Sequence, residues 1–188
     1  MRKTLLIIVG LFCAYVGFTQ GGFNVQIGTG SLVVNNDSFT KSGEAHYGLR
    51  LGGYARIGDD SWYIRPGLFY ERYHIESNSS FNAFEKGDNL HFIKGYVNLG
   101  LYIIRSDFFK LRLNGGGTID YLASIDNRGD VYELGDFSDA AIGLNGGIGL
   151  DILFITVDFE YEKGITKFLS ADDDSKSEYY NLSVGFFF

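Results

Sequence analysis

The sequence predicts an all-β fold: an eight-stranded antiparallel up-and-down transmembrane β-barrel, preceded by a cleaved signal peptide. Three observations carry this expectation. Apolar and polar residues alternate strictly through eight segments. The links between segments are short and long by turns. Aromatic side chains gather at both ends of the segments.

Residues 1–19 read as the signal peptide and residues 20–188 as the barrel domain. Arg2 and Lys3 give a basic start, Thr4 to Phe18 is almost unbroken apolar sequence, and Gly17-Phe18-Thr19 is a small-x-small cleavage pattern. The apolar run is about 15 residues, short of the roughly 20 that a spanning helix needs, so an uncleaved anchor is the weaker alternative. Cys13 is the one cysteine. Phe12 before it is bulky where a lipoprotein site wants a small residue, so Cys13 is expected to leave with the signal.

The remaining chain is acidic. Without Arg2 and Lys3 the formal net charge falls from −7 to −9, which argues against nucleic acid as a partner. Glycine is abundant at 26 residues and proline occurs once, a balance that suits strands and turns rather than a helical bundle.

The strands follow in order. In the first, Phe23, Val25, Ile27 and Val33 oppose Asn24, Gln26, Gly28 and Gly30. In the second, Tyr47, Leu49, Leu51, Ala55 and Ile57 oppose His46, Arg50, Tyr54 and Arg56. In the third, Trp62, Ile64, Pro66, Leu68 and Tyr70 oppose Tyr63, Arg65, Phe69 and Glu71. In the fourth, Ile93, Val97, Leu99, Leu101 and Ile103 oppose Lys94, Tyr96, Asn98 and Tyr102.

The second half continues the pattern. Phe109, Leu111, Leu113, Ile119 and Tyr121 oppose Lys110, Arg112, Asn114, Thr118 and Asp120. Ala140, Ile142, Leu144, Ile148 and Leu150 oppose Gly143, Asn145 and Gly147. Leu153, Ile155, Val157, Phe159 and Tyr161 oppose Thr156, Asp158, Glu160 and Glu162. In the last, Tyr180, Leu182, Val184, Phe186 and Phe188 oppose Tyr179, Asn181, Ser183, Gly185 and Phe187.

Alternation leaves open which face points inward. A lipocalin-like soluble barrel would turn the apolar face in. An eight-stranded barrel is just wide enough for side chains to fill, and rows of Leu, Ile, Val, Phe and Tyr from every strand would overfill it. The opposite face mixes small residues with charges, which fits a filled polar lumen.

Link length agrees. Gly58-Asp59-Asp60, Arg105-Ser106-Asp107 and residues 150–152 are expected as tight turns, and 34–44, 75–90, 122–139 and 163–178 as long loops. Short periplasmic turns and long outer loops mark outer-membrane barrels. Phe23, Trp62, Phe109 and Phe188 form the expected aromatic girdle near the short turns, and Tyr47, Tyr70, Tyr121, Tyr161 and Tyr180 the girdle at the far ends. Pro66 cannot donate to a ladder, so a bulge or a missing hydrogen bond is expected there.

The signal, the eight segments, "GLFYERY" after "WYIRP", the strand "GLNGGIGL" at 143–150 and the terminal "VGFFF" resemble the PorT-like outer membrane protein beta-barrel domain family of Bacteroidota. They are similar in architecture to OmpX-like barrels and OmpA-type membrane domains. The resemblance covers the chain after the signal. It implies an outer-membrane, multi-pass β-barrel, with Phe188 read by the barrel-assembly machinery during insertion. No second domain follows the last strand, so no peptidoglycan anchor is expected. A place beside a secretion complex is suggested by the family name.

Candidate sites follow from this picture. Arg50, Arg56, Arg65, Lys94, Lys110 and Arg112 face Glu71, Asp120, Asp158, Glu160 and Glu162, with Asp151 near a turn. This set reads as a lumenal charge network: a paired filling, or else an ion path. Charges withdrawn from water need partners, and six against six fits pairing.

His46, His74 and His91, with Ser42, Ser77 and Glu76 in adjoining loops, lack a recognisable catalytic spacing. Asp172, Asp173 and Asp174 lack the later Glu of a calcium loop and read as a solvated run. The loop with Asp126, Asp130, Glu133, Asp136 and Asp139 against Arg128 is likewise acidic. The expected protein is monomeric and non-catalytic, has no cofactor or metal, contacts outer-membrane lipid, and meets an unspecified surface partner through its loops. A narrow pore or small-ligand transporter, and a lipid-modifying enzyme, are the alternatives.

Overall fold

The computed structural model describes residues 21–34, 45–75, 88–126, 140–166 and 177–188. Among them run eight strands: β1 (Gly22–Val34), β2 (Ala45–Gly58), β3 (Trp62–Ile75), β4 (Asp88–Arg105), β5 (Phe109–Asp126), β6 (Ala140–Ile152), β7 (Ile155–Gly164) and β8 (Ser177–Phe187). Every pairing is antiparallel between sequence neighbours, and β1 pairs with β8 to close the barrel. Closure continues past the register pairs. Phe23 N–H donates to the Phe188 carbonyl at 3.0 Å, and Phe188 N–H returns to the Phe23 carbonyl at 2.8 Å. None of the eight strands is left as an open edge, so the wall satisfies its backbone within the sheet.

The period-two pattern sets the faces. Ile27, Leu68, Val97, Leu144 and Val184 point outward and are exposed, whereas Gln26, Arg65, Asn98, Asp158 and Asn181 point inward and are buried. This is the inverse of a soluble barrel. A continuous apolar exterior is far larger than the patches soluble monomers expose, and it suits hydrocarbon as the surrounding solvent.

Inward glycines make the interior possible. Gly67 lies under the Tyr96 ring and Gly100 under the Tyr63 ring, where a Cβ would collide.

Several expectations are corrected. The β6–β7 turn is not at 150–152 but at Leu153-Phe154, flanked by the pair Ile152↔Ile155. Leu153 takes the left-handed conformation (φ 56°), which Gly or Asn usually fills. No turn-forming residue marked it, because an apolar turn at a membrane interface gains from Leu and Phe. The strands also outrun their predicted ends: β3 continues to Ile75, β4 begins at Asp88 and β5 reaches Asp126. Polar residues in these extensions hid the alternation.

At Pro66 the β2–β3 ladder skips from Tyr54↔Gly67 to Ile57↔Ile64 without a register change. The proline is therefore accommodated by lost pairing and not by a bulge. On its other side Pro66 stays in register with Val97. The register shifts lie elsewhere, between β4 and β5, at His91/Phe92 and Tyr102/Ile104.

Candidate functional site

The inward faces of β2, β3, β4, β5, β6 and β7 bring eleven strand-borne charges into one buried column. It has two linked layers. Nearest the short turns, Arg56 of β2 donates from Nη1 and Nη2 to the two Asp151 oxygens at 2.5 and 2.8 Å. Arg112 of β5 donates to the same carboxylate from Nε at 3.1 Å and from Nη2 at 2.7 Å. Arg112 Nη2 also lies 3.1 Å from Asp158. Asp158 further accepts from Gln26 at 2.5 Å and from the Tyr54 hydroxyl at 2.9 Å.

The second layer lies toward the long loops. Arg65 pairs with Glu160, and Arg50 reaches Glu160 at 2.6 Å and Glu71 at 3.3 Å. Lys94 Nζ sits 3.0 Å from Glu162, 3.2 Å from Asp120 and 3.3 Å from Glu71. Tyr73 donates to Glu71 at 2.8 Å.

Rings complete the coordination of the cations. Arg50 stacks over Phe69 at 3.8 Å, Arg65 over Tyr54 at 4.5 Å and Lys94 over Tyr179 at 3.4 Å. These contacts add cation–π attraction where water is excluded.

Above Lys94 apolar side chains and rings join buried His46 and Ser177 on the inward face. Leu32, Leu90, Phe92 and Leu122 are buried beside Tyr73 and Tyr179. Tyr73 packs on Phe92 and Tyr179 with ring centroids 6.1 and 5.7 Å apart. Leu90 and Leu122 of this layer lie in the strand extensions, where parity continued past the last predicted position would have found them, whereas Leu32 and Tyr179 lie within the predicted strands.

Eleven of the twelve expected network residues meet in this column. Lys110 is the exception, and its assignment is corrected. It has the inward parity but lies half-buried at the short-turn rim, in an open hollow of about 560 Å³ with Asp60, Arg105, Ser106 and Asp107. No carboxylate pairs with Lys110 among the described residues. Parity fixes a residue's face, and the adjacency of Lys110 to the 106–108 turn fixes its depth. The column therefore holds five cations and six carboxylates.

Asp151 lies in β6, two residues before the true turn, as the shared acceptor of two arginines. Asp59, in the turn between β2 and β3, accepts from the Ser61 and Trp62 amides at 2.8 and 3.1 Å, and these bonds hold its carboxyl below the ordinary value.

The aromatic residues stand in rows. Tyr161, Tyr180 and Tyr47 are linked through Ser31, and Tyr70 and Tyr121 through Ile93. Phe23, Trp62, Phe109 and Phe188 are exposed toward the opposite rim, joined by Phe108 and Phe154, which the sequence did not single out.

His46 is buried on the inward face of β2, whereas His74 and His91 are diagonal neighbours on the outward face of β3 and β4; His74 Nδ1 bonds Asn89 at 3.1 Å, and His91 Nδ1 bonds the Tyr70 hydroxyl. Among the described residues no cluster of three His, Cys, Asp or Glu is arranged to hold a metal. The signal segment 1–19, Ser42, Glu76, Ser77, Asp130, Glu133, Asp136, Asp139, Arg128 and Asp172–Asp174 fall outside the described residues.

A closed eight-stranded antiparallel barrel with an apolar exterior and an ion-paired interior has the fold of the small bacterial outer-membrane barrels. Neisserial surface protein A superposes with a TM-score of 0.59 at 18% identity, over 88% of this chain and 97% of that one. The outer-membrane enzyme PagL gives 0.56 at 11% identity, over 87% and 98%. Ail of Yersinia pestis gives 0.47 at 17% identity, over 90% and 100%. At these identities the likeness is one of fold. No family model matches the sequence, and no curated protein matches it.

Proposed function

We propose that the chain is a monomeric integral outer-membrane β-barrel with a plugged polar lumen, acting structurally or through surface contacts made by its long acidic loops. One observation carries the reading: every cation of the lumen column is ion-paired to a carboxylate on another strand, beneath an apolar layer at the long-loop end. Charge fixed in mutual pairs, with rings above it, supports a plugged lumen over an open ion path. Closure of β1 on β8 leaves no edge for a second chain, which supports a monomer.

Outer-membrane lipid is the partner implied by the exterior, and the two aromatic rims mark its interfaces. The assignment to the PorT-like family of Bacteroidota, and with it a secretion-complex partner, rests on the sequence resemblance alone. A non-catalytic role is part of the same reading. The similarity to PagL concerns the fold, and His46 on the inward face is separated by the wall from His74 and His91 on the outward face.

Planar-bilayer recording tests this reading. The refolded protein is expected to insert without stable unitary currents. Reproducible unitary conductance would favour the narrow-pore alternative.

A further inference from the structure

The extension of β3 to Ile75 places a permanent charge on the apolar side of the wall. Arg72 has the outward parity of Trp62, Ile64, Leu68 and Tyr70. Its Nε is buried and takes no hydrogen-bond partner, and no carboxylate pairs with it among the described residues. Lys163, another outward cation, differs: it lies 3.6 Å from Glu178.

The surroundings of Arg72 are polar on one side and apolar on the other. Register sets Leu49, Arg72, His91 and Ser124 in one row across β2 to β5. The row beneath, toward mid-barrel, is Leu51, Tyr70, Ile93 and Tyr121. The Tyr70 hydroxyl bonds His91 Nδ1, so phenol and imidazole are fixed against each other beside the guanidinium.

Depth follows from strand geometry. Arg72 lies two residues beyond Tyr70, about 6.6 Å along the strand, or about 5 Å along the membrane normal at a tilt near 40°. In a bilayer that position is above the acyl chains, at the level of the headgroups.

We propose that this row binds the phosphate of an outer-leaflet lipid, with Arg72 as the principal ligand and His91 and Ser124 beside it. The inference rests on the membrane reading above. A guanidinium presents a planar fork matched to phosphate oxygens, and an uncompensated arginine on a lipid-facing wall is tolerated where an anion meets it. Tyr70, Ile93 and Tyr121 beneath offer the apolar surface on which the same lipid's chains lie.

The test uses the full protein refolded into phosphatidylcholine vesicles doped with lipid A or with dephosphorylated lipid A. Extraction and native mass spectrometry then count the lipid retained. Lipid A is expected to be retained over its dephosphorylated form. Arg72→Gln should lower that retention about tenfold, the loss of one charge-assisted hydrogen bond, while Lys163→Gln leaves it unchanged. Arg72→Lys should restore part of it, as a cation without the fork, and added inorganic phosphate should not displace the lipid.

Equal retention by Arg72→Gln, or equal retention of dephosphorylated lipid, overturns the site. Wild-type protein that inserts and folds but retains no lipid A overturns the site alone. Wild-type protein that does not insert overturns the membrane reading, and the site with it. His91→Gln supplies a second variant with a smaller expected loss, should Arg72→Gln fail to fold.

Discussion

Arg56 holds both carboxylate oxygens of Asp151 across the lumen, from Nη1 at 2.5 Å and from Nη2 at 2.8 Å, and so ties β2 to β6. Because Arg112 uses the same carboxylate, Asp151 is the point where three strands are joined by charge. Asp151→Asn removes the compensation of two buried guanidinium groups at once. The expected cost is about 3–5 kcal/mol, the range for breaking a buried ion pair from one side. Urea unfolding of the refolded variant in detergent, followed by the gel-shift of heated and unheated samples, measures it. An unchanged midpoint would mean that the pair is replaceable by water.

Lys94 is the counterpart in the upper layer, shared by Glu71, Asp120 and Glu162, of which Glu71 also pairs with Arg50. Lys94→Met leaves Asp120 and Glu162 without their cation beside Glu71. Repulsion between them should destabilise the barrel by a similar amount and loosen the plug. Bilayer recording of this variant is expected to show current that prefers cations over anions. Stability and silence equal to wild type would show that the upper layer does not depend on Lys94.

The lost pairing beside Pro66 predicts a local weakness. Amide hydrogen exchange at Ala55 should be faster than at Leu51 and Ile57, because the β2–β3 ladder skips the Ala55 pair, whereas Arg56 stays paired with Gly22 of β1. Pro66→Val, at an outward half-buried position, supplies a donor and should slow this exchange. Uniform protection along β2 would contradict the skipped ladder.

Asp59 gives a pH prediction at the short-turn rim. Its folded carboxyl titrates below the ordinary value because the Ser61 and Trp62 amides bond the ionised form. A depressed folded pKa contributes stability that is present above the unfolded value, about 3.9. That contribution is lost as pH falls through the folded value. Wild type should therefore exceed Asp59→Asn in urea midpoint at neutral pH, and the gap should close below about pH 4. A gap that stays constant from neutral pH to about pH 3 would assign the effect to something other than this carboxylate.

Much of this architecture is legible in the sequence, for a physical reason. A strand between lipid and a polar lumen must alternate with period two, so Phe23 to Val33 or Tyr180 to Phe188 declare both their fold and their faces. Depth is less legible. Lys110 has the parity of the network but lies at its mouth, and Asp151 looked like a turn residue but is the shared acceptor of two arginines in the layer nearest the short turns.

Turn chemistry failed where the solvent changed, since Leu153-Phe154 is apolar in a place where soluble hairpins use Gly or Asn. Strand ends failed where polar residues overlap the headgroup region. There Arg72 and His74 on one face, and Leu90 and Leu122 on the other, continue the strands with the polarity of the two faces reversed. The pairing of particular charges was not legible at all, because it depends on register and tilt across strands far apart in sequence.

The central claim is that the apolar face meets lipid, and Trp62 reports on it directly. It is the one tryptophan, it is outward and 44% exposed, and it stands near the short-turn rim. The refolded protein in vesicles containing brominated phosphatidylcholine should show strong quenching of its fluorescence. Quenching should be deeper for bromines near the headgroup than for bromines at the chain ends, as expected of an interfacial girdle residue. A folded protein that stays in the aqueous fraction, with emission indifferent to bromine at every depth, would contradict the account.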